Sequence, residues 1–258
     1  MADFNTMRAT HAGTRTAMID AGLRAHMNKV YGLMSAAMLI TGAVAFLLAN
    51  MAMTTDPALG VAQIGASKYL TQFGATLYTS PLKWVVMFAP LAVVFAFSAT
   101  LHKMQTSTAQ IVFWVYAALM GASLSSIFLV YTGVSIAQTF LVTAIAFAGL
   151  SLYGYTTKRN LSAMGSFLMM GLIGLIVASI VNIFVASSAL QFAISVIGVL
   201  IFAGLTAFDT QNIKNIYLQM AQSDEEYLGK AAIMGALQLY LDFINMFMFL
   251  LQFLGNRE

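Results

Sequence analysis

Met104 to Thr157 reads MQTSTAQIVFWVYAALMGASLSSIFLVYTGVSIAQTFLVTAIAFAGLSLYGYTT, 54 residues without one Asp, Glu, Lys or Arg. At 1.5 Å per residue a single helix of that length would measure about 81 Å, against a hydrocarbon core of about 30 Å, so the stretch must fold back on itself. The turn chemistry near its middle is Thr132-Gly133-Val134-Ser135, which divides it into spans near 109–131 and 137–156. Asn160 to Phe208 gives another 49 uncharged residues, weakest at Ser187-Ser188, and two more spans near 165–186 and 190–209. Before these, Trp84 to Leu101 lies between Lys83 and His102-Lys103, and Val30 to Met53 is closed by Thr54-Thr55-Asp56-Pro57. A last span, near 231–254, is interrupted only by Asp242. With the spans near 30–53 and 84–101, the count is seven.

The chain as a whole agrees. Of its 258 residues 60% are hydrophobic and 8% charged, and its mean hydropathy is +0.84. An ordinary soluble domain is roughly 25% charged. Twelve Lys+Arg and nine Asp+Glu could not cover a soluble sphere of this size, which excludes a soluble globular enzyme and a disordered chain. The absence of Cys removes disulfide frameworks, thiolate zinc sites and Cys nucleophiles, and a formal charge of +3 argues for no nucleic acid. The reading is an all-α polytopic membrane protein, with an N-terminal segment 1–29 and a seven-helix transmembrane domain 30–258.

Basic residues set the expected orientation. With the N-terminus cytoplasmic, nine fall inside (Arg8, Arg15, Arg24, Lys29, Lys103, Lys158, Arg159, Lys214, Lys230) and three outside (Lys68, Lys83, Arg257). Asp224 is then cytoplasmic and Glu258 extracytoplasmic. Residues 1–29 do not read as a secretory signal, because Arg8, Arg15 and Asp20 break any apolar core before Val30. Met18 to Met34, with basic residues among apolar ones, reads as a surface helix leading into the first span.

Two formal charges fall within the spans, Asp209 at the inner end of the sixth and Asp242 near the middle of the seventh. An Asp at the centre of an inserted helix costs roughly 2.5–3.5 kcal/mol and faces a bundle interior or a wet cavity. On the seventh span Gly235, Gln238, Asp242, Asn245 and Gln252 recur at helical spacing, forming one stripe. On the sixth, Ser195, Gly198, Phe202, Thr206 and Asp209 do the same, so both acids can point into one interior.

Gly204-Leu205-Thr206-Ala207-Phe208-Asp209-Thr210-Gln211 and Leu239-Tyr240-Leu241-Asp242-Phe243-Ile244-Asn245-Met246-Phe247 closely resemble the two signature segments of the transmembrane Bax inhibitor motif family, whose bacterial members share the Bax inhibitor-1 fold. The resemblance runs back through Phe113 to Gly121 and Ser151 to Arg159 and covers about Val30 to Gly255. It implies a bundle with the seventh helix central and a calcium leak across the membrane controlled by pH. It also implies a hydrogen-bonded acid pair near the cytoplasmic side, carried over by motif to Asp209 and Asp242. Family members can have an Arg on an earlier helix that engages the pair. The second span here has none, and His102 and Lys103 at its inner end are the candidate cations for that place.

The chemistry for such a gate is available. Two carboxylates in contact in a poorly solvated site do not easily both ionise, and they titrate as a unit. Sharing one proton ties the two helices together; losing it adds repulsion and leaves oxygen ligands for a hard divalent cation. Calcium takes 6–8 oxygens, so Asn245, Thr206, carbonyls or water must supplement Asp209 and Asp242, with Gln238 alongside. Weak, transient coordination of a permeant ion follows, with the bilayer and calcium as partners and no cofactor implied.

Two other readings compete. An intramembrane aspartyl protease also places one Asp on each of two late spans, but its second Asp lies in a Gly-x-Gly-Asp setting, where this chain has Tyr240-Leu241-Asp242. A non-transporting regulator that binds membrane-bound proteases is the alternative function, with Ala2 to Lys29 as its handle; the family's bacterial branch includes members associated with protease control. No catalytic residue is assigned. His11, His26 and His102 lie far apart in sequence, and Asp224-Glu225-Glu226 reads as a solvated run between the last two spans.

Overall fold

Local chemistry starts several of the helices where the sequence turns. Thr132 Oγ1 accepts from Ser135 N at 3.2 Å and opens one helix, Ser187 Oγ accepts from Leu190 N at 3.3 Å and opens another, and Asp224 Oδ1 accepts from Tyr227 N at 2.7 Å and opens the last. Ala186 closes the helix before Ser187 in the left-handed region (φ 50°), so the chain reverses within two residues. The computed structural model describes residues 2–65, 68–221 and 224–256, with side chains from Met18 onward. The sequence readings on Arg8, His11, Arg15, Arg257 and Glu258 lie outside those described side chains.

The helices are α1 (Ala2–Ala52), α2 (Gln72–Thr79), α3 (Leu82–Thr100), α4 (Thr106–Leu124), α5 (Gly133–Thr156), α6 (Ser162–Val185), α7 (Ser188–Met220) and α8 (Glu225–Leu254). Seven of them, all except α2, are long and apolar enough to cross a membrane. Strands β1 (Met53–Thr54), β2 (Ala62–Gln63) and β3 (Tyr69–Leu70) form a two-residue-wide antiparallel clip, order β1-β3-β2, which with α2 follows the C-terminal end of α1. The fold is all-α.

Bilayer exposure inverts the usual layering. Leu39, Phe46, Ile183 and Phe184 stand exposed on outer faces, while α8 sits in the middle. In its most apolar window 67% of residues are buried, against 39% for α7 and 17% for α3 and α6, so the central position of the last helix holds. α8 packs against α7, α1, α5 and α4. Close crossings use glycine: a Cβ on Gly121 of α4 would stand 2.6 Å from the Thr41 carbonyl of α1, and one on Gly154 of α5 would strike the Ala207 carbonyl of α7.

Two boundaries differ from the sequence reading. Met18 to Met34 is no separate surface helix, because α1 is continuous and Leu23, His26, Met27, Val30 and Met34 bury one helical face in the bundle. The helix that carries the sixth span runs past 209. α7 continues to Met220, because Gln211, Lys214 and Tyr217 find partners beside it: Gln211 Nε2 donates to Arg159 O at 2.8 Å, and Lys214 Nζ to Tyr155 O at 2.7 Å.

Candidate functional site

Asp209 on α7 and Asp242 on α8 are both buried, 5% and 4% exposed, and both line one cavity, close enough for their carboxyl groups to interact. Gln238, one turn before Asp242, donates from Nε2 to Asp209 Oδ1 at 3.0 Å. Asp242 Oδ2 is buried and receives no N–H or O–H from any described residue. An ionised carboxylate only accepts hydrogen bonds, so two of them in contact need a proton between them. A proton carried by either carboxyl supplies the donor that Asp242 Oδ2 lacks.

Two cavities share Gln238, and the pair lines the larger of them. One, of about 760 Å³, opens between α6, α7 and α8 and is lined by Asp209, Asp242, Asn245 and Gln238 among apolar side chains. The other, of about 440 Å³, opens toward the α7–α8 turn and is lined by His26, His102, Asp224, Glu226, Lys230 and Gln238, among others. Gln238 lines both, so the amide that holds Asp209 also stands between the two spaces. Farther out, Gln191 Nε2 donates to Gln252 Oε1 at 2.7 Å and Ser195 Oγ to the same oxygen at 3.3 Å, continuing the polar seam between α7 and α8.

The other expected site residues divide. Asn245 lines the larger cavity; its Nδ2 donates to Leu241 O at 2.8 Å, which leaves the amide oxygen free to accept or ligate. Thr206 is fully buried but donates to its own helix at Phe202 O, 2.8 Å away, and does not line either cavity. His102 and Lys103, the expected cationic partners, are exposed in the turn that closes α3, and no described Lys, Arg or His forms an ion pair with either aspartate. His102 lines the smaller cavity, and the side-chain donor that reaches Asp209 is the Gln238 amide.

Sequence reasoning missed His26. Its ring lies 4.9 Å from that of Tyr217, its Nε2 is buried without a partner, and it shares a cavity with His102 although 76 positions separate them in the chain. The signal was present in the spacing of Leu23, His26, Met27 and Val30, hidden by assigning residues before Val30 to a segment outside the bundle. Asp224 and Glu226 are likewise more than a solvated run: Asp224 caps α8, Glu226 pairs with Lys230 at 2.8 Å, and all three line the smaller cavity. Among the described residues, no group of three or more His, Asp and Glu is arranged to hold a metal ion.

These features define a multi-pass integral membrane protein that buries an acid pair between its last two helices. The family profile described as "Inhibitor of apoptosis-promoting Bax1" matches residues 23–258, and the chain belongs to the Bax inhibitor-1 family. It is similar to a Rickettsia prowazekii protein, RP147, at 46% identity over the whole of both chains. It is similar also to the inner membrane protein YbhL of Escherichia coli K12, at 44% identity over 92% of this chain and 94% of that one.

Proposed function

We propose that this protein is a pH-sensitive calcium leak of the bacterial inner membrane, gated by the Asp209–Asp242 pair. The observation that carries the reading is a buried acid pair, short of one donor at Asp242 Oδ2, lining the larger of two cavities that share Gln238. With a proton shared, the pair ties α7 to α8 and the path is closed. Loss of the proton places two like charges in contact, parts the helices, and presents carboxylate oxygens to a divalent cation. Two carboxylates and the Asn245 oxygen fall short of the 6–8 ligands calcium takes, so the ion passes through partly hydrated and is not held. Asp224 and Glu226 at the mouth of the smaller cavity draw cations in.

The sign follows from the pair: flux rises as pH rises through its titration. The N-terminus is cytoplasmic by the nine-to-three division of basic residues, which places the smaller cavity on the cytoplasmic side. Reporter fusions after Gly229 and at the C-terminus test that orientation. The decisive experiment is calcium uptake into liposomes holding the purified chain, scanned from about pH 6 to about pH 8 for a change in flux with protonation of the pair. Flux absent at every pH, or flat across the range, would overturn the reading.

A further inference from the structure

On the side of the bundle away from α6, α1 and α5 part, and a groove of about 1080 Å³ runs between them. Met34 and Met38 of α1 form one wall and Ala144 and Ala148 of α5 the other, while Phe147 and Phe243, ring centroids 5.5 Å apart, form the floor. At membrane depth such a groove faces acyl chains, and left empty its lining would lose dispersion contacts on one side.

The two ends of the groove differ chemically. Arg24 is the one formal charge among its described lining residues, with Asn28 and Tyr155 beside it. Arg24 lies six residues before the apolar run that starts at Val30, about 9 Å toward the water and so at headgroup depth. Lys214 Nζ stands 5.3 Å from the centroid of the Tyr155 ring and brings a second cation to the same end. Among the described residues no carboxylate lines the groove or pairs with Arg24.

We propose that this groove binds one anionic phospholipid from the leaflet at the N-terminal end of α1. Arg24 and Asn28 meet the phosphate, and an acyl chain lies along the groove on Phe147 and Phe243. A basic residue at headgroup depth beside an apolar slot with no competing acid is complementary to a negative headgroup with a long apolar tail. The proposal is independent of the leak.

The test counts lipids retained by the purified full chain, equilibrated with equal amounts of phosphatidylglycerol and phosphatidylcholine, by native mass spectrometry. One phosphatidylglycerol per chain is expected, favoured several-fold over phosphatidylcholine. Arg24→Gln keeps the retained lipid and loses the headgroup preference. Gly42 lines the groove and a Cβ there meets nothing within 4 Å, so Gly42→Phe fills the slot and lowers retention several-fold. Gly32→Phe, equally open but outside the groove, leaves retention unchanged. Equal retention of the two lipids by the unaltered chain, or undiminished retention by Gly42→Phe, would overturn the proposal. Should Gly42→Phe fail to fold, the headgroup ratio of Arg24→Gln decides alone.

Discussion

Two seams beside α8 are built in opposite ways. Between α7 and α8 the helices meet along their length, and polar groups bridge them at two levels: Gln191 with Gln252, and Gln238 with Asp209 beside Asp242. Between α1 and α5 the helices stand apart over an apolar groove, with Tyr31 Oη and Ser151 Oγ 2.6 Å apart as a bridge. In water the second seam would collapse, because burying its apolar walls would be favourable. In a bilayer lipid solvates those walls as well as a neighbouring helix does, so close packing and hydrogen bonds decide which helices touch. The seam rich in polar bridges is therefore where motion is costly and where a protonation change has leverage. The apolar one is where lipid can enter.

The sharpest way to break the contrast is to remove titration from the polar seam. Asp209→Asn and Asp242→Asn each keep size and some hydrogen bonding but hold no exchangeable acid proton. Each single change is expected to abolish the pH response of calcium flux in liposomes, and the double change to add little, because members of one proton-sharing unit are not additive. Two single variants with the parent pH profile would sink the gate and favour the regulator reading.

Next in size is a change to packing without chemistry. A Cβ at Gly154 would strike the Ala207 carbonyl, and backbone cannot swing aside as a side chain can. Gly154→Val is expected to lower stability by about 1–3 kcal/mol or more, read as a fall in melting temperature in detergent. Gly149→Ala, five positions earlier with open space around it, is the control and should melt no lower than the parent.

How much of this could be read from the chain depends on what each feature needs. Four of the seven spans followed from two uncharged runs too long to cross a bilayer once, the other three from apolar stretches of spanning length, and the breaks at Thr132 and Ser187 from capping chemistry that acts within three residues. That Asp209 and Asp242 can face one interior was legible because each lies on a polar stripe at helical spacing, while their pairing was implied by the family resemblance alone. Where the helices end was less legible. α7 continues past Asp209 because Arg159 and Tyr155, more than 50 positions away, offer carbonyls to Gln211 and Lys214, and a window along the sequence cannot see that. His26 and His102 come to line one cavity for the same reason. The groove beside α1 was also invisible, since its walls have the composition of lipid-facing helix surface everywhere else.

A smaller effect separates positioning from titration. Gln238→Leu removes the amide donor to Asp209 Oδ1 and leaves both acids in place. That donor favours the ionised carboxylate, so its loss favours the protonated, closed pair. The flux profile should move to higher pH by about one unit, equivalent to ~1.4 kcal/mol lost with a hydrogen bond to a charged group. An unchanged midpoint would mean that Gln238 only fills space between the two cavities.

The least effect is expected where the apolar seam is bridged. Tyr31→Phe deletes the hydroxyl that meets Ser151 and keeps the ring against the groove wall. Ser151 Oγ keeps a partner, because Thr210 Oγ1 lies 2.8 Å away, so no buried polar atom is orphaned. Hydrogen bonds between membrane helices average about 0.6 kcal/mol by double-mutant cycles, and this one should cost no more. The change in melting temperature should be within a degree or two, and the pH profile of flux should stay in place. A much larger loss would mean that α1 and α5 are held by this bond and not by what they pack against on α8, and the contrast between the two seams would fail. A shift in the pH profile would be more informative still. Thr210 is the neighbour of Asp209 on α7, and such a shift would trace the chain Tyr31–Ser151–Thr210 as a line of influence from the lipid-facing groove to the acid pair.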